Sequence, residues 1–275
     1  SYSPRCDGYG LRAGLWAGGI KDVNGAPVIF DRGAVPAGVD CGYVTDADGR
    51  EHFPATHYQL NIGSQPFMKV NRRGQRFANE STPYDFICFA ATYQPGGVWC
   101  QVYDSNMMDD MLRFETVGCS RVVPYIEMGM TYDEYTAASQ EAGILMKADT
   151  IEELADMLGF TGQDKDNFLA EVERYNGFYD NQVDEDFGKD AKFLKPIADH
   201  GPYYAIYGQR FSEAALGGVM VDGQCRCIRN DGSAIPGLYA GGDATSAMHI
   251  RGRLAVISEL TWAVASAYTS GINAV

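Results

Sequence analysis

Ile235-Pro-Gly-Leu-Tyr-Ala-Gly-Gly-Asp243, with Arg253 ten residues further on, is the stretch that decides how this chain of 275 residues reads. A short apolar run, Leu238 to Ala240, stops at Gly241 and Gly242, and one carboxylate, Asp243, follows at once. The pattern predicts a buried strand delivering its carboxyl end to a ligand. The glycines permit close backbone approach, and the acid accepts hydrogen bonds from sugar hydroxyls.

Outward from that stretch, composition narrows the classes. Hydrophobic residues make up 45% and charged residues 21%, ordinary for a globular protein with a large core. The formal charge of −14 argues against nucleic acid or an anionic membrane as partner, since both need a basic face. No run approaches the roughly 18 apolar residues that cross a bilayer. Ser1 to Asp7 lacks the charged and apolar regions of a signal peptide. Cysteines at 6, 41, 88, 100, 119, 225 and 227 follow no paired or metal-ligand spacing and are read as reduced thiols used in packing. Cys225 and Cys227 are expected on one face of a strand, where side chains at i and i+2 point alike. Trp16 and Trp262 are expected in the core.

The order of elements is mixed. Leu11 to Gly19 reads as a helix ending in glycine, and Val28 to Tyr43 as strands and loops. Lys69 to Phe77 reads as a hairpin with a polar turn and Val98 to Tyr103 as a strand. Helices are predicted over Tyr132 to Glu141 behind Thr131, over Ile151 to Leu158 behind Asp149-Thr150, and over Asp164 to Tyr179. Strands return at Tyr203–Tyr207, Gly218–Val221, Cys225–Ile228 and Leu238–Ala240, and an apolar helix closes the chain from Ala255 to Ser270.

The stretch at 235–243 resembles the C-terminal flavin-binding segment of the fumarate reductase / succinate dehydrogenase-like flavoproteins, with Asp243 in the position of a glutamate. Further blocks follow that family's order: Asp7-Gly8 with Ala17-Gly-Gly19, Val70-Asn71 with Gly74, Arg76-Phe77 and Asn79-Glu80, then Arg174-Tyr-Asn176, Asp184 to Gly188, Leu216 to Met220 and Asp231-Gly232. The resemblance runs from about residue 5 to 270. Asn79-Glu-Ser-Thr-Pro-Tyr84 is also similar to the 3-ketosteroid dehydrogenases.

The resemblance implies a mixed α/β and α+β architecture: the C-terminal part of a Rossmann-like FAD-binding domain (1–50 and 199–275) carrying an inserted α+β capping domain (51–198). The strand–GxGxxG–helix unit that holds the pyrophosphate in that family has no counterpart here. The expected cofactor is therefore FAD in a full-length protein whose N-terminal FAD-binding segment is missing from this chain. These residues alone are expected to bind it poorly and to be inactive. The implied reaction is hydride transfer between flavin N5 and an activated C=C bond of a small-molecule enone or enoate, with fumarate itself disfavoured. Steroid-like dehydrogenation and a non-catalytic ligand-binding module are the alternatives.

The site residues implied are specific. Arg253 binds the substrate's oxyanion or carboxylate, or Arg251 does if the register shifts by two, with His249 beside them. Tyr84 stands where fumarate reductases place a proton-delivering arginine; a phenol, of ordinary pKa near 10, donates to a carbanion or enolate. Glu213 replaces a substrate-binding histidine and would repel an anion. The family's Glu-x-x-Arg relay is lacking around Leu60 to Gly63. Gly241, Gly242 and Asp243, the first turn Val256, Ile257 and Ser258, and Asp7 (or Tyr9) are the expected cofactor contacts. His52 and His57 fall near the expected cap boundary.

Overall fold

The structure, a computed structural model, describes residues 8–23, 27–42, 44–45, 47–52, 58–59, 61–114, 129–215, 217–245 and 256–274. The chain forms two compact units: Phe30–Phe211, and Ser1–Ile29 together with Ser212–Val275.

The unit Phe30–Phe211 is built on a mixed-length sheet. Its strands are β1 (Pro27–Val35), β4 (Tyr58–Gln59), β5 (Met68–Val70), β6 (Trp99–Asp104), β7 (Leu145–Ala148) and β8 (Tyr203–Ala215). Their order is β4-β1-β8-β6-β5, and β7 pairs with β8 as well. The longest ladder is antiparallel, from Trp99 opposite Gly208 to Asp104 opposite Tyr203. Every position of β6 is buried, which explains its nearly continuous apolar sequence. Its two polar exceptions are tied to backbone: Gln101 donates through Nε2 to Ile62 O at 2.8 Å, while its Oε1 is buried without a partner, and Asp104 accepts from the amides of Asn106 and Ala198, each at 2.8 Å. β2 (Val44–Thr45) and β3 (Glu51–His52) form a separate two-stranded ribbon.

Alternation along the strands sorts the core into two clusters. Cys100 and Val102 on β6 join Tyr203, Ala205 and Tyr207 on β8 in one cluster, with Leu154, Phe168, Val172 and Tyr175. Tyr103, Tyr204 and Ile206, one register off, join Phe67, Met107, Met111 and Phe114 in the other. The period of 2 thus directs each strand to both helical layers. α5 (Ile151–Met157) and α6 (Gln163–Asn181) supply the first; α3 (Met107–Phe114) and, through Tyr132, α4 (Tyr132–Glu141) supply the second. Thr131 closes a capping box with Glu134 at the start of α4, as the sequence predicts, and Thr150 caps α5. α2 (Tyr84–Thr92) is an element that the sequence reading does not name.

The other unit contains α1 (Tyr9–Trp16), the antiparallel pair β9 (Arg226–Ile228) and β10 (Ala234–Tyr239), and α7 (Val256–Asn273). Val219, Val221, Cys227 and Ile235 are its buried cluster. An added Cβ on Gly14 of α1 would lie 2.5 Å from Val219 Cγ2, so the helix packs on that cluster through a bare Cα.

Three expectations change. Within β10 only Ile235 is buried, while Pro236 and Gly237 are exposed; the strand is half of a short hairpin with β9. Cys225 has φ 62 and sits in a turn before β9, so it does not share a strand face with Cys227; both thiols are nonetheless buried. Trp16 is 68% exposed rather than core. It packs edge-on to Tyr9 with the Arg12 guanidinium over both rings.

Candidate functional site

Two local constructions hold the described site residues, one in each unit. In the unit Phe30–Phe211, Tyr84 opens α2. Pro83 at the N-cap has φ −53 and ψ 144, a conformation that proline presets just outside a helix, and Asp85 complements the positive end of the helix in the first turn. Ile87, Cys88 and Ala91 bury the opposite side of the helix from Phe86, which is 52% exposed. Tyr84 is half-buried, and its ring stacks on that of Phe30 from β1, with centroids 4.3 Å apart and planes inclined by 14°. The Arg32 guanidinium carbon lies 4.8 Å from the Phe30 ring centroid.

The loop leading to Tyr84 is anchored by buried charges. Arg76 donates through Nε and Nη2 to Glu80 at 2.8 and 2.9 Å and through Nη1 and Nη2 to Asp184 at 3.1 and 2.8 Å. Lys189 Nζ approaches Glu80 Oε2 at 3.2 Å and donates to the Tyr175 hydroxyl at 2.6 Å and to Pro66 O. These charged side chains have at most 1% exposure. Burial pushes the Asp184 carboxyl up, but its bonds to Arg76 prevail and hold its pKa at about 2. Glu80 is likewise held low against burial by Lys189 and Arg76. Burial dominates for Lys189, whose pKa falls to about 8 despite Glu80. A second pair lies on β1 and β5: burial raises the pKa of Asp31, which accepts from Ser64, and lowers that of Lys69, with each opposing the other's shift by its charge.

This network gives a physical meaning to two of the sequence blocks. Val70-Asn71 and Gly74 shape the turn: Asn71 Oδ1 accepts the amides of Arg73 and Gln75, and Gly74 has φ +71. A Cβ there would lie 2.5 Å from Asp164 O and 2.6 Å from Phe168 N. Arg76, Glu80 and Asp184 are the ion-paired anchor, joining segments 108 positions apart. Lys189, Lys69 and Tyr175 complete it; of these the sequence blocks include Tyr175 and not the two buried lysines.

In the other unit, Gly241 is extended and Gly242 has φ +60. Their small size serves helix packing: a Cβ on Gly241 would lie 2.8 Å from Ser266 Oγ, and one on Gly242 3.6 Å from Ala263 Cβ. The Gly242 amide donates to Ser266 Oγ at 2.9 Å, and Trp262 Nε1 donates to Thr245 Oγ1 at 3.0 Å. The structure thus brings the glycine turn onto α7, whose first turn includes Val256, Ile257 and Ser258. Asp243 lies in the short turn Gly242–Ala244, and Glu213 on β8. Asp7, His57, His249, Arg251 and Arg253 lie outside the described residues.

A family model described as "FAD binding domain" matches residues 3–258. The chain belongs to the FAD binding domain family. Curated relatives include the NADH:acrylate oxidoreductase of Vibrio harveyi, 31% identical over 195 residues that cover 71% of this chain and 17% of that protein. The 3-oxosteroid 1-dehydrogenase of Mycolicibacterium smegmatis is 33% identical over 193 residues, 64% of this chain and 32% of its own. The chain therefore spans less than a third of these two relatives' length. Among solved structures, the open conformation of a flavocytochrome c3 fumarate reductase superposes with a TM-score of 0.67 at 21% identity. It covers 97% of this chain, which spans 39% of that one, and the likeness is one of fold.

What a member of the FAD binding domain family must hold can be compared with the groups on hand. The first turn of α7 carries amide N–H groups with no acceptor inside the helix, at the positive end of its dipole. The Gly241–Gly242 turn lies further along the helix, packed on Ala263 and Ser266. The amides of the first turn fit the polar edge of a flavin. The Gly242 amide is not part of that donor set, because Ser266 takes it.

Proposed function

We propose that this chain is the C-terminal portion of an FAD-dependent oxidoreductase acting on an activated C=C bond. In this reading residues 51–198, within the unit Phe30–Phe211, are the capping domain, and a preceding polypeptide with a strand–GxGxxG–helix unit completes the Rossmann-like FAD domain. The observation that carries it is the family match over residues 3–258, joined to a tyrosine, Tyr84, fixed at a helix start by stacking. Relatives that reduce acrylate or desaturate 3-oxosteroids support the C=C chemistry.

The bound flavin supplies or accepts the hydride. Gly241, Gly242, Asp243 and the first turn of α7 hold its linker and polar edge. Arg253, or Arg251, with His249 receives the carbonyl or carboxylate oxygen of the substrate; a guanidinium matches either with paired donors. Tyr84 gives its phenolic proton to the substrate carbon α to that group as hydride reaches the β carbon, and regains a proton from solvent. Glu213 disfavours a dianionic substrate such as fumarate, since two like charges brought together out of water repel. Closure of the cap excludes water from the reaction. Dehydrogenation of a steroid-like ketone, with Tyr84 taking the proton, is the second reading, favoured by the Asn79-Glu-Ser-Thr-Pro-Tyr84 block.

The test is reoxidation of the reduced full-length flavoprotein by an enone or an enoate, with reduction of the oxidised flavoprotein by a saturated 3-oxosteroid testing the second reading. Tyr84→Phe should slow reoxidation by the productive substrate about 10²–10⁴-fold, the usual worth of a positioned acid. Reduction of the flavin by its donor should change little. Turnover within about threefold of wild type would make Tyr84 structural.

A further inference from the structure

We propose that Phe30 is a positioning residue for Tyr84, with Arg32 steadying Phe30 from the same strand. The inference rests on the reading of Tyr84 as the proton donor, and it concerns how that side chain is aimed. Pro83 and the helix start fix the backbone of Tyr84, but they leave its side-chain torsions to be set by neighbours. Phe30 is only 3% exposed, so its own ring is held in the sheet-side core. At 4.3 Å and 14° it covers one face of the Tyr84 ring, and a swing of the phenol toward or away from β1 would either collide with Phe30 or open a gap. Phe30 and Arg32 are two apart on an extended strand and point alike, and the guanidinium stands 4.8 Å from the Phe30 ring centroid. A cation over an aromatic face is attractive and resists rotation of that ring. The stack sets the plane of the phenol and hence the arc on which its O–H lies. Stacking supplies no hydrogen bond, so its effect on proton transfer is through direction.

Two measurements test this. In the flavin-free chain with isotopically labelled tyrosine, the Tyr84 ring signals should show a ring-current shift that disappears in Phe30→Leu and persists in Phe30→Tyr. In the full-length flavoprotein, reoxidation by 2-cyclohexen-1-one, acrylate or 4-androstene-3,17-dione is followed, using whichever oxidises the wild-type reduced flavin. Phe30→Leu should slow that step about 10–100-fold, since a displacement of order 1 Å of a reacting group can cost about 10²-fold. Phe30→Tyr, which keeps the flat ring, should stay within about threefold. In a Tyr84→Phe background, Phe30→Leu should add no further loss, because its effect passes through the phenol. Equal slowing in both backgrounds, or none in either, would overturn the role of Phe30. An unaltered rate in Tyr84→Phe itself would instead overturn the reading of Tyr84. Phe30→Met replaces Phe30→Leu if the latter does not fold.

Discussion

Replacing Arg76 by methionine removes four charge-assisted hydrogen bonds at once, two to Glu80 and two to Asp184. Glu80 keeps Lys189 at 3.2 Å and the Lys69 amide at 3.3 Å, and Asp184 keeps the amides of Asp186, Phe187 and Lys189. The loss is thus less than four separate bonds and resembles that of breaking one buried ion pair, about 3–5 kcal/mol. With a urea slope near 2 kcal/mol/M, the unfolding midpoint of the unit Phe30–Phe211 should fall by roughly 1.5–2.5 M. Trp99, fully buried on β6 and the sole tryptophan of that unit, reports it by fluorescence. The pH dependence follows from Asp184 and Glu80. Both are held below their ordinary values in the folded chain, Asp184 at about 2. Their contribution is present above the unfolded values, near 4, and is lost as pH falls toward 2. In Arg76→Met the pairing that depresses Asp184 is gone and Glu80 has Lys189 alone as its ion-pair partner, so the gap between variant and wild type should be wide at pH 7 and narrower at pH 3. A deficit under about 1 kcal/mol at pH 7, or one of equal size at pH 3, would refute the account of this network.

Gly74→Ala, which forces a side chain into φ +71 and to within 2.5 Å of Asp164 O, should destabilise by more than about 2 kcal/mol. Gly159→Ala, at φ +80 in open space, should cost only about 1–2 kcal/mol by the same urea titration. Thr131→Ala removes the side-chain half of the capping box, the hydroxyl that accepts the Glu134 amide, and should cost about 1 kcal/mol, with a matching drop in midpoint. Burial pushes the Cys100 thiol up to about 12, so iodoacetamide at pH 8 should leave it unmodified in the native chain and label it once urea unfolds the unit. Peptide mass spectrometry reads the result, and native labelling of Cys100 at the rate of a free thiol would contradict it.

The elements that sequence makes legible are those whose local signals agree with their surroundings. Thr131 and Thr150 mark helix starts with side chains that serve the same purpose in the fold. Val98 to Tyr103 is apolar on both faces because helices cover both. The helix at Tyr84 is signalled only weakly: Tyr84, Ile87, Cys88 and Ala91 keep the helical interval, but over nine residues behind a proline the period is short. At Gly241 and Gly242 the sequence reveals close approach without saying what approaches, and in the fold Ser266 and Ala263 of α7 take that space. Charged residues are the least legible, since nothing in Lys69, Lys189 or Asp184 by itself tells a solvated group from one locked inside. Only the long-range pairing of residues around 76 with those around 184 separates the two.

β8 is the last strand of the large sheet to be made, yet it runs through its middle, between β1 and β6 and beside β7. During synthesis, Trp99–Asp104 leaves the ribosome with β5 on one edge and nothing yet to meet its other edge until Tyr203 follows. At roughly 5–20 residues per second this interval is about 5–20 s. For that time a strand that is apolar on both faces keeps a row of open backbone groups, the arrangement that templates pairing between chains. Nascent chains stalled before Tyr203 should therefore be the ones that chaperones hold, and release should follow once β8 can thread into place.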